Sequence, residues 1–234
     1  MGEFFSALYQ FIFGDMDGGY WMMILEGTRD TLIITILSTF LGYVIGLPLG
    51  VVLTITGEGG IHPNRVVYRI LDVIVNILRS IPFLILMILL IPFTRLVVGT
   101  TIGTAATIVP LVIAAAPFIA RMVESSLKEV DGGVIEAAQS LGASTMTIIV
   151  KVLLKEARTS LIVGMTIALA TILGYSAMAG AIGGGGLGVL AIRYGYHRYK
   201  MNVMIVTIVV LVALVQIMQK FGMWLSRKLD RRIR

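Results

Sequence analysis

The chain has 234 residues, of which 57% are hydrophobic and 14% are charged, and its formal net charge is +6. A soluble domain carries about 25% charged residues and about 45–50% apolar ones, so most of this surface is suited to lipid, and the basic excess reads as topology-setting loops rather than a nucleic-acid site. The absence of cysteine excludes disulfides and thiolate metal sites.

Backbone polar groups in hydrocarbon must be satisfied internally, which leaves helices or closed barrels. A barrel would show alternating segments of about ten residues, whereas the apolar runs here are long and continuous, so the expected class is an all-α polytopic membrane protein. Residues 1–25 carry no basic n-region. Gly14, Asp15, Asp17, Gly18 and Gly19 interrupt them, and their aromatics suit a membrane–water interface, so an external interfacial segment is expected rather than a cleaved leader.

A span needs about 20 mostly apolar residues. The first is expected over residues 31–53, with Gly42, Gly46 and Gly50 on one face, a spacing that lets another helix approach closely. Residues 54–64 read as a polar turn. The apolar region 66–98 is too long for one straight crossing and is interrupted by Pro82 and Pro92. It reads as one crossing over 72–93, kinked near Pro82. Further spans follow at 100–120, 160–179 and 202–224, separated by a polar loop at 121–158 and a glycine-rich stretch at 180–188. The basic tail 227–234 closes the chain.

Five spans place the termini on opposite sides. With the tail cytoplasmic, that side holds thirteen of the Lys and Arg residues and the far side five, while Arg79 lies inside a span. The positive-inside bias therefore puts the N-terminus outside and the loop 121–158 in the cytoplasm.

Within that loop, Asp131, Gly132 and Gly133 start a short helix, and Gly142 ends it as a left-handed cap. Ala137 and Ala138 give it a narrow face for close contact, and Glu136 is read as lying in its first turns, where the helix dipole favours a carboxylate. A second helical stretch over 146–157 leads back to the membrane. No G-x-x-x-x-G-K-[ST] occurs, so ATP chemistry would belong to another polypeptide. Spans one, three, four and five carry no carboxylate, which weighs against ion-coupled carriage. Asp72 and Arg79 share a face of span two and read as a structural polar patch. His62 and His197 lie in different loops on opposite sides, no Ser/His/Asp set can be assembled, and neither a metal site, an organic cofactor nor an enzymatic activity is expected.

The segment Glu136-Ala137-Ala138-Gln139-Ser140-Leu141-Gly142, in a cytoplasmic loop after three spans and before two, resembles the EAA loop of type I ABC importer permeases. The likeness covers about residues 26–232. Arg79-Ser80-Ile81-Pro82-Phe83, Ile91-Pro92-Phe93-Thr94-Arg95, Ala114-Ala115-Ala116-Pro117-Phe118-Ile119-Ala120-Arg121 and Gly174-Tyr175-Ser176-Ala177-Met178-Ala179-Gly180 look like the methionine-importer branch. So does Gly183-Gly184-Gly185-Gly186-Leu187-Gly188 with Ile192-Arg193-Tyr194-Gly195-Tyr196. The resemblance implies a transmembrane domain over 26–226 of a multi-pass protein in the cytoplasmic (inner) membrane. It implies as partners a second copy of the chain, a cytoplasmic ATPase dimer and an external substrate-binding lipoprotein, within surrounding lipid and without nucleic acid.

Glu136, Ala137, Ala138 and Gly142 would carry ATPase coupling, and Tyr175, Ser176 and Met178 would line the solute pathway, a thioether suiting an apolar side chain. The solute would be methionine or a derivative, with another small amino acid or an ion-coupled carrier as alternatives. A scaffold subunit that binds the ATPase without carrying solute is a further one. The glycine run reads either as a flexible external loop or as a gate or binding-protein contact. Where many relatives have proline this chain has Lys155, which predicts a less broken entry into span four.

Overall fold

The structure, a computed structural model, describes residues 18–229. The expected N-terminal segment 1–25 therefore lies mostly outside the described residues, as does the end of the basic tail. Among the described residues the chain is helical, with no strand beyond one isolated bridge between Gly103 and Gly184. Four helices are long and apolar enough to cross a membrane, and five crossings result if one bent pair is counted as a span.

Helix α1 runs Gly18–Thr56 without interruption. Its 39 residues make about 58 Å of helix at 1.5 Å each, far more than the 31–53 expected. Gly18 and Gly19, expected to interrupt the chain, instead begin this helix. Its third glycine, Gly27, meets Leu187 and Leu190 so closely that a Cβ there would lie 2.8 Å from Leu190.

Helix α2, Arg65–Ser80, is capped by Asn64, whose side chain accepts from the Val66 and Val67 amides. It ends at Ile81–Pro82, where proline removes a donor and disfavours the helical region for the preceding residue. Helix α3, Phe83–Leu89, begins anew after Pro82, so the expected kink is a true break. A second interruption at Leu90 precedes α4, Ile91–Val98, with Pro92 in its first turn and Gly99 (φ +76°) terminating it.

Helix α5 covers Thr104–Lys128, and α6 covers Gly132–Ser140. Next come α7 (Thr145–Thr147), a π-helical stretch (Ile148–Leu153) and α8 (Leu154–Glu156), before α9 spans Arg158–Ala179. The expected loop 121–158 is thus corrected at its start, since residues 121–128 continue α5. Entry into α9 is still broken, at Ala157, although no proline stands there. A 3-10 turn (Gly180–Ile182), α10 (Leu187–Leu190) and a π-helical stretch (Ala191–Tyr196) lead to α11, Met201–Leu229. The first residues of the expected tail are therefore helical.

Two compact units emerge. The first comprises the chain up to Ser38, Phe83–Leu111 and Ala170–Ile217. Its core joins Ile24, Leu187 and Val206, with Leu190, Val210, Leu211 and Leu214 packed around them. The second comprises Thr39–Pro82, Val112–Leu169 and the chain from Met218 on. Its core joins Leu53, Val75 and Ala120, flanked by Leu49, Tyr68 and Leu71.

The predicted glycine face is closely packed within this second unit. A Cβ added at Gly42 would lie 2.9 Å from the Ala115 Cβ. At Gly46 it would meet the Ala116 carbonyl at 2.7 Å, and at Gly50 the Ala120 carbonyl at 2.6 Å. Side chains cannot stand where these backbones touch, and the Ala-rich stretch of α5 is the matching surface.

Candidate coupling helix and solute pathway

Helix α6 is built by its caps. Asp131 accepts from the Gly133 amide at 2.7 Å and closes the N-terminus. At the other end, the Gly142 amide donates to the Gln139 carbonyl and the Ala143 amide to that of Ala138. With Gly142 at φ +74°, these two bonds form a Schellman motif. The sequence expectation for both ends holds. Glu136 is corrected: it is the fifth helical residue, past the first turn in which a macrodipole acts, so its carboxylate gains little there.

No residue of α6 is buried. Glu136 and Ala137 are exposed and Ala138 is half-buried. Val134, Leu141 and Met146 add exposed apolar surface, Leu141 being 88% exposed. The helix packs on the π-helical stretch Ile148–Leu153, whose Ile148 and Leu153 are buried. A cleft of about 340 Å³ opens where Gly132 and Ile135 approach residues 54–61 and Lys128. A capped helix with an open, small-residue and partly apolar outer face is the geometry of a docking element.

Sequence reasoning missed the cluster that stands just before it. Glu124, 2% exposed, belongs to α5 rather than to a loop. Arg121 donates from Nη1 to Glu124 Oε2 at 2.6 Å, and Lys128 Nζ to Glu124 Oε1 at 2.7 Å. The Tyr68 hydroxyl reaches the same oxygen at 3.2 Å. Through Nη2, Arg121 also binds Asp72 at 2.5 Å and Asn76 at 3.0 Å. One carboxylate thus holds two cations, and the cluster ties α2 to α5. The spacings 121/124 and 124/128 were readable as helical pairs, which was the available signal. The expected Asp72–Arg79 patch divides. Asp72 joins this cluster, while Arg79 is exposed and takes no part in it.

The three residues expected along the solute pathway do not converge. Tyr175 is half-buried and stacks on Phe83, ring centroids 4.6 Å apart and nearly parallel. Ser176 is buried, and its hydroxyl donates to the Leu173 carbonyl. Met178 is exposed on another face of α9.

The glycine run is not a loose loop. The Gly103 amide donates to the Gly183 carbonyl, and the Gly185 amide to the Thr107 hydroxyl at 3.1 Å. The Leu187 amide donates to the Thr31 hydroxyl at 2.8 Å. Gly180 and Gly188 approach each other backbone to backbone, leaving no room for a Cβ on Gly180. These glycines serve close backbone approach within the chain, which is not how a flexible loop is built.

Comparison with known proteins fits this geometry. The family described as binding-protein-dependent transport system inner membrane component matches residues 46–234. The chain is 51% identical over 210 residues to the probable D-methionine transport system permease protein MetI of Vibrio cholerae serotype O1, covering 90% of this chain and 93% of that one. It is 53% identical over 160 residues to the D-methionine transport system permease protein MetI of Escherichia coli strain K12, covering 68% and 73%. A solved chain of the MetNI methionine ABC transporter in an inward-facing conformation superposes with a TM-score of 0.91 at 49% identity, covering 92% of this chain and 100% of that chain. An amino acid ABC transporter with histidines matches at a TM-score of 0.73 and 21% identity, which speaks for the fold alone. With the family pattern matched from residue 46 to the end and half of all residues shared with relatives of nearly its own length, the chain belongs to the binding-protein-dependent transport system inner membrane components.

Proposed function

We propose that this chain is the permease subunit of an ATP-driven methionine importer of the cytoplasmic membrane. The observation that carries the reading is the match to the whole length of a chain of the MetNI methionine ABC transporter at 49% identity. In this reading two copies enclose the pathway, because cyclic two-fold assemblies are the commonest closed arrangement and so few spans enclose a channel poorly alone. A separate cytoplasmic ATPase dimer supplies the energy, and an external lipoprotein delivers methionine.

Helix α6 is the coupling element. Its open outer face, with Ala137 exposed and Ala138 half-buried, supports docking on the ATPase, and its two firm caps let it move as a unit. The N-terminus lies outside and α6 in the cytoplasm, in keeping with the thirteen-to-five distribution of basic residues. Nucleotide binding then closes the ATPase dimer, carries α6 with it and opens the permease outward; hydrolysis resets it. Such a cycle runs only because ATP binds the two conformations with different affinity.

The test is methionine accumulation by proteoliposomes holding this chain, its ATPase and its binding lipoprotein, with and without ATP, using each enantiomer. Accumulation should require ATP and survive collapse of ion gradients. Loss of uptake on collapsing the gradients would favour an ion-coupled carrier, and nucleotide turnover without accumulation would favour another solute.

A further inference from the structure

Helix α2 presents three faces. Leu71 and Val75, with Tyr68, enter the core of the second unit. Val66, Ile70, Val73, Ile74 and Ile77 form a second face that is wholly apolar and exposed. Arg65, Arg69, Asp72, Asn76 and Arg79 recur at spacings of four and three, and so share the third. In a membrane the apolar exposed face turns to lipid. The charged one must then turn to a polar cavity, because a charge in hydrocarbon is costly.

Along that charged face two groups are engaged. Asp72 and Asn76 are held by Arg121. Arg65 and Arg69 line a cleft of about 610 Å³ with Glu58 and Tyr68. Arg79, like Arg65 and Arg69, is exposed and makes no ion pair or hydrogen bond among the described residues, but it differs from them in position along the helix. It stands in the last turn, about 21 Å from Arg65 along the helix axis. Two residues later the helix breaks, and the apolar segment Phe83–Leu89 follows, the two helices together being long and apolar enough to count as one broken crossing.

We propose that Arg79 is the counter-charge that takes the α-carboxylate of the amino acid as it crosses the permease. The inference rests on the importer reading. A zwitterionic amino acid leaving water loses the hydration of its carboxylate, and a free guanidinium replaces it with a planar, two-pronged donor. Arg121 cannot serve, since Asp72 and Glu124 already neutralise it. A lipid phosphate offers the guanidinium the same chemistry, and the test separates the two.

The full complex is reconstituted with the unsubstituted chain, Arg79→Gln or Arg79→Lys, in vesicles of phosphatidylcholine with and without phosphatidylglycerol. Radiolabelled methionine accumulated is divided by ATP hydrolysed. Loss of one charge-assisted contact predicts a ratio lower by about tenfold or more in Arg79→Gln, with Arg79→Lys within about threefold of the parent, in both lipids. An unchanged ratio in Arg79→Gln, equal loss in both variants, or failure of Arg79→Gln to assemble overturns the assignment. An effect confined to phosphatidylglycerol vesicles overturns it in favour of a lipid contact. No uptake by the unsubstituted complex sinks the importer reading and this inference with it.

Discussion

The end of α5 and the helix α6 are three residues apart and obey opposite rules. In α5, Glu124 is almost wholly buried, and it pairs with both Arg121 and Lys128. In α6 no residue is buried, and the helix is held by its two caps and by packing on one side. The first arrangement resists loss of the carboxylate at its centre. The second tolerates changes in side chain at little cost to folding, which leaves its outer face open to selection for binding. Substitutions in the two regions should therefore separate stability from transport.

The largest loss is expected at Glu124. Removing one partner of a buried ion pair typically costs about 3–5 kcal/mol, because the remaining charge is stranded. Glu124→Ala leaves Lys128 without its acceptor and Arg121 with Asp72 and Asn76 alone, and thermal unfolding in detergent should shift downward. Lys128→Ala should cost about 1 kcal/mol or less, since its side chain is 48% exposed. Equal effects would show that the cluster is not centred on Glu124.

Next comes the glycine face. Gly46→Leu forces a side chain against the Ala116 carbonyl and Ile119, and overpacking of this kind costs about 1–3 kcal/mol. Gly174→Ala is the matched control, as nothing lies within 4 Å of the added carbon. A helical alanine there should be neutral or stabilising by up to about 1 kcal/mol in the same unfolding measurement. Similar losses at both glycines would deny that α1 and α5 are in backbone contact.

This contrast also marks how far the sequence could be read. The period of four at Gly42, Gly46 and Gly50 and the matching Ala114–Ala116 run are local patterns, so the close approach was visible in advance. So were Asp131 and Gly142, because a cap uses only its own turn of chain. Glu124 was not, since Arg121, Glu124, Lys128 and Glu129 together resemble a solvated loop until Tyr68 and Asp72 arrive from α2. Pro82 announced an interruption but not its size, because proline removes a donor without fixing the direction of the segment that follows. Tyr175, Ser176 and Met178 are neighbours in sequence, and helical geometry sends them to different surroundings, which a run of letters does not display.

At the C-terminal end of α6 the effect should be smaller than at Gly46. Gly142 lies at φ +74°, and nothing stands within 4 Å of where a Cβ would be, so Gly142→Ala meets no clash but incurs the left-handed penalty of about 1–2 kcal/mol. Much of that is expected to be relieved by fraying of a surface turn. Hydrogen exchange at Gly142 and Ala143 should therefore rise more than global stability falls. Unchanged protection at both amides would mean that the Schellman bonds do not hold the end of the helix.

The smallest effect on folding, and a total one on transport, is expected at Ala137. The residue is exposed, glutamate is nearly as good a helix former as alanine, and surface changes of this type stay within about 0.5 kcal/mol. Ala137→Glu should thus unfold like the parent and insert normally. If α6 docks through its small-residue face, a longer charged side chain there prevents close contact with the ATPase and leaves a charge to be desolvated at the interface. ATP-dependent methionine uptake should be lost, and co-purification of the ATPase weakened. Normal uptake by Ala137→Glu would remove α6 from coupling, whatever its exposure. Loss of uptake with unfolding shifted as far as in Glu124→Ala would mean that α6 is part of the folded core, and the contrast between the two regions would disappear.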